Sequence, residues 1–395
     1  MTGRRRAHVR GALFSLAVLC ALASWALLAS LAACSRAEAP EEDLRIGFLV
    51  PVSCSPSLDI SRRAAELSVA RVNAEGGLDL GGRRVKVRLL LEDTGGQVEG
   101  IMTAAARLIH QKRVSALVGP YFSRDALPVA DVAESARIPL VSPSASSPPL
   151  TKGRRYVFRV CLVDTVQGRI MAQFAREDLS LRRAAVLYDE ADAYPRGLAL
   201  LFSESFTGLG GQVTAREIYA TGASDFAAQL ARIRASGAQA LFLPNFPADL
   251  SRQIIQARAA GFTGVFLGGD AWALDQSIQA LPQAEGSFFS SDYALESMAG
   301  PARQEVERYQ RELGAPLDKN AALTLDALGV VLAGAKAAGS VDPVLLREGI
   351  ASLRGYEGLT GRLSFEQGGD AVRGAHVLAI EGGQVHSRKT SKAAP

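Results

Sequence analysis

The sequence predicts an α/β protein whose two lobes each contain a doubly wound parallel sheet. Short apolar runs, typical of buried strands, alternate with stretches of helical periodicity from residue 44 onward. Strands that are separated by helices of this length favour parallel sheets with helices on both faces. The alternation occurs twice, on either side of Arg159, which indicates two sheets rather than one very large sheet.

The elements follow from these patterns in chain order. Strands are expected at residues 44–50, 85–91, 114–118, 138–141, 156–160, 184–188, 213–219, 240–243 and 265–267, and later at 362–365 and 376–380. Helices are expected at 64–72, 103–110, 126–136, 167–177, 198–207, 226–235 and 250–260, and then at 301–313, 321–338 and 343–353. The last third of the chain is therefore mostly helical.

The first 33 residues have the composition of an export signal. Three arginines, Arg4 to Arg6, precede an apolar stretch at 12–29, and small residues come before Cys34. The ending Leu31-Ala32-Ala33-Cys34 resembles the bacterial lipobox, which implies cleavage before Cys34 and lipid on its sulfur and new amino terminus. Residues 34–43 then form a flexible tether. An ordinary N-terminal membrane helix is the alternative interpretation.

The excess of basic residues lies in the predicted signal peptide. Four of the 44 Lys and Arg residues precede Cys34, which leaves 40 basic residues against 40 acidic ones. A mature chain with no net charge lacks the basic surface expected of a nucleic-acid-binding protein. Of its cysteines, Cys54 and Cys161 remain beside Cys34, and a secreted compartment permits a disulfide between them. Two buried thiols are the favoured alternative.

The sequence gives little support for an enzyme or a cofactor. His110, His376 and His386 are scattered without the spacing of metal ligands, and the motifs of metalloproteases, serine hydrolases, dinucleotide-binding sites and P-loops are missing. We therefore expect a protein with no catalytic residues, no metal and no cofactor.

Polar residues follow several of the predicted strands, where ligands of open α/β sheets bind. Ser123 opens a helix whose N–H groups and dipole suit an anion, although a plain helix cap is an alternative. Ser142, Ser144, Ser146 and Ser147 form a serine cluster suited to a carboxylate, although local composition alone favours a surface loop. Asp270 ends a strand of the second run and could pair with an ammonium group or cap a short helix.

Several segments together resemble a known family. They are Ile46-Gly47-Phe48-Leu49-Val50-Pro51, the helix and turn at 66–77, Val118-Gly119-Pro120, the segment 138–146, Phe158-Arg159-Val160, the segment 256–261 and Gly361-Arg362-Leu363-Ser364-Phe365. Their order and spacing resemble the periplasmic leucine/isoleucine/valine-type solute-binding proteins of ABC transporters, over residues 44–380. The resemblance implies the type I periplasmic binding protein fold, with a ligand held between two lobes and an ABC permease as partner.

The resemblance also implies a domain organisation and a ligand site. Lobe one would comprise residues 44–160 and 291–370, and lobe two residues 161–290 and 371–395, with three crossings between them. Ser123 and Ser146 fall where the family binds an α-carboxylate, and the Ser144 carbonyl falls where it binds the ammonium. The same comparison assigns the ammonium to Asp270 as well. Aromatic rings over the ligand are expected from Tyr194 and Phe246, and Arg124 is interpreted as part of a solvated helix surface.

Two functions are compatible with these features. The first is an extracytoplasmic, lipid-anchored solute-binding protein that captures an amino acid or a similar small polar ligand for an ABC permease. The alternative is an envelope lipoprotein that uses the same fold to bind and regulate another protein, such as a cell-wall synthase. Ser35 resembles a signal for sorting to the outer membrane, away from an inner-membrane permease. A collapsed cleft without a free Asp270 would favour the alternative.

We expect the substitution Cys34→Ala to release the protein from the membrane fraction, because two or more acyl chains provide the stable anchor. Cell fractionation followed by a carbonate wash measures the change, and Cys20→Ala, within the signal peptide, is the matched control. A Cys34→Ala protein that still sediments with membranes after the wash would rule out the lipobox interpretation.

Overall fold

Two β-sheets organise the part of the chain that the computed structural model describes, residues 43–53, 55–366 and 368–391. The predicted signal peptide, Cys34, most of the tether and Cys54 lie outside these residues. The strands, in chain order, are β1 (Leu44–Val50), β2 (Leu78–Asp79), β3 (Arg84–Val85), β4 (Val87–Asp93), β5 (Ala116–Val118), β6 (Leu140–Ser142), β7 (Val157–Arg159), β8 (Arg183–Asp189), β9 (Gln212–Tyr219), β10 (Ala240–Leu243), β11 (Val265–Gly268), β12 (Phe288–Ser291), β13 (Tyr356–Gly358), β14 (Gly361–Ser364), β15 (Val372–Arg373), β16 (Ala375–Glu381) and β17 (Gln384–Ser391).

Helices connect most of the parallel strands. They are α1 (Asp59–Ala74), α2 (Val98–Ala106), α3 (Ser123–Ala136), α4 (Asp164–Gln173), α5 (Ala193–Gly208), α6 (Ala227–Ala235), α7 (Pro247–Ala259), α8 (Gly300–Leu313), α9 (Lys319–Ala338) and α10 (Pro343–Ala351). Helices α2 and α4 each continue into a short π-helical segment, Arg107–Gln111 and Phe174–Asp178.

The first sheet, in the order β4-β1-β5-β6-β7, is parallel throughout and forms the centre of lobe one. Its residues alternate between two apolar cores. Ile46 and Phe48 of β1 pack with α1, α9 and α10, whereas Leu49 faces the core formed with α2 and α3. Helix α9 is long and apolar enough to cross a membrane, but 67% of its apolar window is buried inside the protein, as expected for a core helix.

The second sheet, in the order β17-β16-β12-β11-β10-β8-β9, forms the centre of lobe two. It is parallel from β12 to β9, and β16 and β17 extend it as antiparallel strands. Helices α4 and α5 cover one face, where the rings of Phe202 and Phe242 stack with centroids 4.1 Å apart. Helices α6 and α7 cover the other face. The predicted class, two doubly wound lobes, is confirmed.

The chain passes between the sheets three times. It leaves β7 of lobe one at Arg159 and enters α4 of lobe two at Asp164. It leaves β12 at Ser291, and α8 then packs against α1 of lobe one. The small sheet β13-β14-β15 packs on the lobe one core through Leu363. A single residue separates β15 from β16 of lobe two, and this is the third crossing.

Two differences from the predicted elements have local physical causes. Helix α5 begins at Ala193 rather than at residue 198, because the Asp192 side chain caps it by accepting a hydrogen bond from the N–H of Tyr194. Pro195 is tolerated in the first turn, where its missing N–H would have no helical partner. Strand β17 was not predicted, because its sequence, Gln-Val-His-Ser-Arg-Lys-Thr-Ser, is polar and lies at the sheet edge.

Arg159, at the first crossing, forms hydrogen bonds with the serine cluster. Its side chain is fully buried, and its Nε donates to Asp370 Oδ1 at 2.7 Å. Nη1 donates to the carbonyl oxygens of Ala145 and Ser147 at 3.0 and 2.9 Å, and Nη2 donates to Thr151 Oγ1 at 3.0 Å. One guanidinium therefore satisfies buried carbonyl groups of an irregular loop that have no strand or helix to bond.

We expect Arg159→Met to lower the free energy of unfolding by about 3 kcal/mol, because it leaves two buried carbonyl groups unpaired. Urea denaturation measures the change. Arg155→Met, at an exposed position on the preceding turn, is the control and should stay within about 0.5 kcal/mol of the parent protein. Equal stability of the two variants would show that Arg159 does not hold the loop.

Candidate ligand-binding cleft

A cavity lies between the lobes at the carboxyl ends of the strands. Its volume is about 20 Å³, little more than the room that one water molecule needs, so the two walls lie close together. The structure brings all six predicted ligand-binding residues into its wall. The lining residues are Ser123, Ser144, Ser146, Tyr194, Phe246 and Asp270, together with Tyr121, Phe122, Ala271, Leu274, Lys319 and Asn320.

The start of helix α3 forms one part of the lobe one wall. Phe122 is the N-cap residue and makes no side-chain cap, so Ser123 lies in the first turn rather than at the cap. The hydroxyl of Ser123 accepts a hydrogen bond from the N–H of Ser147 at 3.2 Å. The first N–H groups of a helix have no partner within the helix, and this end therefore suits an anion.

The serine cluster forms the rest of the lobe one wall. Ser142, Ser146 and Ser147 are buried, so the interpretation as a surface loop is wrong. Ser144 Oγ donates to the carbonyl of Tyr121 at 3.0 Å. The carbonyl of Ser146 accepts from the N–H of Asp164, the first residue of α4, at 3.0 Å. The cluster is thus fixed both to lobe one and to the first crossing.

Two aromatic residues form the apolar part of the lobe two wall. Tyr194 lies in the first turn of α5, and Phe246 precedes Pro247 at the start of α7. Their ring centroids are 5.3 Å apart. Phe246 also meets Phe122 of lobe one edge to face at 5.6 Å, which brings the two lobes into contact over the cavity.

Asp270 is engaged by the protein itself. Its Oδ2 accepts from Lys319 Nζ at 2.6 Å, and its Oδ1 accepts from the hydroxyl of Tyr194 at 2.9 Å. Its N–H donates to Gln167 Oε1 at 3.1 Å. The amino group expected from a ligand at this carboxylate is thus supplied by Lys319, the first residue of α9.

Lys319 is the residue that the sequence analysis missed. Its Nζ also donates to the Asp270 carbonyl at 3.1 Å, and its side chain is only 3% exposed. Burial by itself would lower the pKa of Lys319, but the charges of Asp270 and Asp292 outweigh burial and hold the pKa above its ordinary value. The ammonium therefore stays charged in the cleft. A lysine at a helix start gives no sequence signal for burial, since lysine is rarely buried unless it is paired.

Arg124 connects the lobes at the mouth of the cleft. Its Nη1 lies 2.8 Å from Asp192 Oδ2 of lobe two, and its guanidinium lies over the rings of Phe122 and Phe246 at 5.0 and 5.7 Å. Arg124 is expected on a solvated helix surface, and its side chain is indeed 45% exposed. The expectation is wrong because the guanidinium also contacts lobe two. The cleft of this structure is closed.

One polar group in the wall remains without a partner. Asn320, the second residue of α9, is 7% exposed, and its side-chain oxygen makes no hydrogen bond with any described residue. Buried polar atoms in native proteins are nearly always paired. The cavity therefore offers hydroxyl groups, a helix start, an ammonium and an unpaired carboxamide oxygen to a small polar molecule.

A buried acid lies behind this wall, at the start of α4. Burial raises the pKa of Asp164 to about 8; the hydroxyl of Ser146 opposes the rise, and the charge of Asp270 adds to it. Its Oδ1 accepts from Gln167 Nε2 at 3.3 Å, so the same glutamine contacts both Asp164 and Asp270.

Neither a metal site nor a disulfide is found in the described part of the chain. No group of three or more His, Cys, Asp or Glu side chains there could hold a metal ion. Cys161 is a free, buried thiol, and burial raises its pKa. Its predicted partner, Cys54, lies outside the described residues, so the disulfide stays a prediction.

Known proteins resemble the chain over most of its length. The model of the periplasmic binding protein family matches residues 43–384. The Leu/Ile/Val-binding protein homolog 3 of Brucella melitensis is 26% identical over 85% of this chain and 90% of its own. A leucine binding protein LivK from Thermotoga maritima is 30% identical, with a TM-score of 0.81 over 88% of this chain and 99% of its own. LivJ from Streptococcus pneumoniae, solved with isoleucine, is 26% identical, with a TM-score of 0.79 over 90% of this chain and all of its own.

Asp164 makes stability depend on pH. Its folded-state pKa of about 8 lies above its ordinary value of 3.8, so between these values the folded state holds more protons than the unfolded state. The free energy of unfolding must then fall as the pH rises through this window. As the pH rises, we expect the free energy of unfolding of the parent protein to fall by up to about 1.4 kcal/mol per pH unit relative to that of Asp164→Asn.

Urea denaturation at pH 5 and pH 8 measures this difference. Asp225→Asn, at an exposed position, is the matched control and should keep the pH dependence of the parent protein. A parent protein and an Asp164→Asn variant with parallel pH profiles would mean that Asp164 is ionised throughout.

Proposed function

Because the chain belongs to the periplasmic binding protein family, we propose that its cleft captures an amino acid or a similar small polar ligand for an ABC permease. The observation that carries this proposal is the convergence of Ser123, Ser144, Ser146, Tyr194, Phe246 and Asp270, from both lobes, on one buried cavity. The Brucella and Thermotoga proteins are named for binding leucine, isoleucine or valine, and the Streptococcus protein was solved with isoleucine.

Capture requires the two lobes to move. A ligand that touches both walls binds the closed form better than the open form and shifts the population toward closure. The mouth contacts are suited to this task, because an exposed ion pair such as Arg124–Asp192 contributes at most about 1 kcal/mol and therefore breaks readily.

The family implies an extracytoplasmic location, where a permease in the membrane receives the solute. We further propose that the protein is held at the membrane by lipid on Cys34. The support is the order of arginines, apolar residues and small residues before Cys34. Nucleic acid is not expected as a partner, since the mature chain has no excess of basic residues.

One observation favours the second candidate, an envelope lipoprotein that binds and regulates another protein. Asp270 is not free, since Lys319 and Tyr194 occupy both carboxylate oxygens. Arg124 and Asp192 also form an ion pair across the mouth. This candidate predicts that no small solute stabilises the protein.

A thermal-shift screen separates the two candidates. Small amino acids, their keto and hydroxy acids, and simple carboxylic acids should include at least one compound that raises the melting temperature, because a ligand that binds only the folded state stabilises it. A screen in which none of these compounds shifts the melting temperature would favour the regulatory candidate.

The substitution Ser146→Ala tests the location of the site. We expect it to weaken binding of the best compound about ten- to hundredfold, the loss of one hydrogen bond to a charged group. Calorimetry measures the affinity, and Ser135→Ala, on the exposed face of α3, is the matched control. Unchanged affinity in a folded Ser146→Ala variant would place the ligand elsewhere.

A further inference from the structure

We propose that the cleft takes a small carboxylic acid that carries no amino group, because the protein places its own ammonium, that of Lys319, where a ligand ammonium would bind. The inference rests on the proposed solute-binding function and narrows the class of ligand. It follows from the contacts of Asp270, from the charges in the wall and from the groups that remain unpaired.

Both oxygens of the Asp270 carboxylate accept hydrogen bonds from the protein. Lys319 Nζ lies 2.6 Å from one carboxylate oxygen, and the Tyr194 hydroxyl lies 2.9 Å from the other. The side chains of Asp270 and Lys319 are 5% and 3% exposed. A ligand ammonium would have to bind this carboxylate directly beside the Lys319 ammonium or displace it, and separating the partners of a buried ion pair is strongly unfavourable.

The side chains that line the cavity carry no net charge. Among the residues that line the cavity, the charged side chains are Asp270 and Lys319, and they neutralise each other. Asp292 also favours the charged form of Lys319. It is not among the residues that line the cavity. An amino acid would therefore bring a second ammonium next to Lys319, and like charges in a buried site repel strongly.

The lobe one wall and Lys319 together offer donors to a ligand carboxylate. A lysine ammonium has three donors, and the described contacts of Lys319 use two of them, both on Asp270. The third can donate to a ligand carboxylate. The Ser123 and Ser146 hydroxyls and the first N–H groups of α3 lie in the same wall, so a carboxylate finds several hydrogen-bond donors there.

Asn320 indicates what a second polar group on the acid would be. Its side-chain oxygen is buried and unpaired, and it can only accept a hydrogen bond. A neutral hydroxyl satisfies it without adding a charge. Acids with a hydroxyl group in place of the amino group should therefore bind at least as well as the unsubstituted acids.

Matched compounds test the inference on the unmodified protein. Each set holds one amino acid, the acid that lacks its amino group, and the 2-hydroxy acid of the same skeleton. The sets are built on alanine, leucine and phenylalanine, so that side-chain size does not decide the outcome. Calorimetry measures the affinities.

We expect an amine-free acid in at least one set to bind ten or more times tighter than its amino acid. An amino acid that binds as tightly as its own acids, or tighter, overturns this inference and leaves the proposed function intact. If no compound of any set binds, the inference fails, and the regulatory candidate gains support.

The substitution Lys319→Met identifies the cause of the preference. It removes the ammonium, keeps an unbranched side chain and leaves Asp270 free for a ligand ammonium. We expect acids to bind at least tenfold more weakly and amino acids at least tenfold more tightly. Lys336→Met, at an exposed position in the last turn of the same helix, is the control and should keep the preference of the parent protein.

Circular dichroism establishes whether Lys319→Met is folded. A folded variant with the parent preference overturns the role of Lys319. If the variant does not fold, the matched compounds on the unmodified protein decide the question by themselves.

Discussion

The buried ion pair between Asp270 and Lys319 is the contact on which the cleft depends. It joins the end of β11 in lobe two to the start of α9 in lobe one. A buried pair is more stable when further hydrogen bonds support its charged groups. Tyr194 and Gln167 provide this, and each is itself fixed by an element of lobe two, α5 or α4. The residues of the wall are therefore positioned by one connected polar network.

Arg159 is a second buried charge, and it positions the residues of the lobe one wall. The segment from Ala145 to Ser147 has no regular hydrogen-bonding partners, yet it must be buried to present its serines to the cavity. The guanidinium of Arg159 bonds two of its carbonyl groups and anchors them to Asp370 beside the crossing. Burial of an irregular loop is possible only with such a partner. The geometry of the anion site and the geometry of the crossing are therefore linked.

The two kinds of contact between the lobes differ in strength. At the mouth, Arg124 and Asp192 form a partly exposed pair, and such pairs contribute little because water screens them. In the interior, the Asp270–Lys319 pair is screened from water and costs much more to separate. Opening at the mouth thus requires less free energy than separation at Asp270.

The sequence by itself determined the fold class and most of the candidate site. Alternating apolar runs and helical periods specify buried parallel strands, and the rule that ligands bind beyond their carboxyl ends selected Ser123, the serine cluster and Asp270. Tyr194 and Phe246 came from the family resemblance, and the structure places them in the same wall. Local periodicity sufficed for Ser123, the serine cluster and Asp270, because their positions follow from where each strand ends.

Only the tertiary structure decided which groups pair inside the cleft. Lys319 contacts Asp270 across 49 residues of sequence, and Arg124 contacts Asp192 across 68. Neither contact leaves a trace in local sequence, since a lysine or arginine near a helix start is equally suited to solvent. Their partners are set by how the two lobes pack against each other. The same packing determines whether Asp270 is free for a ligand or neutralised by the protein.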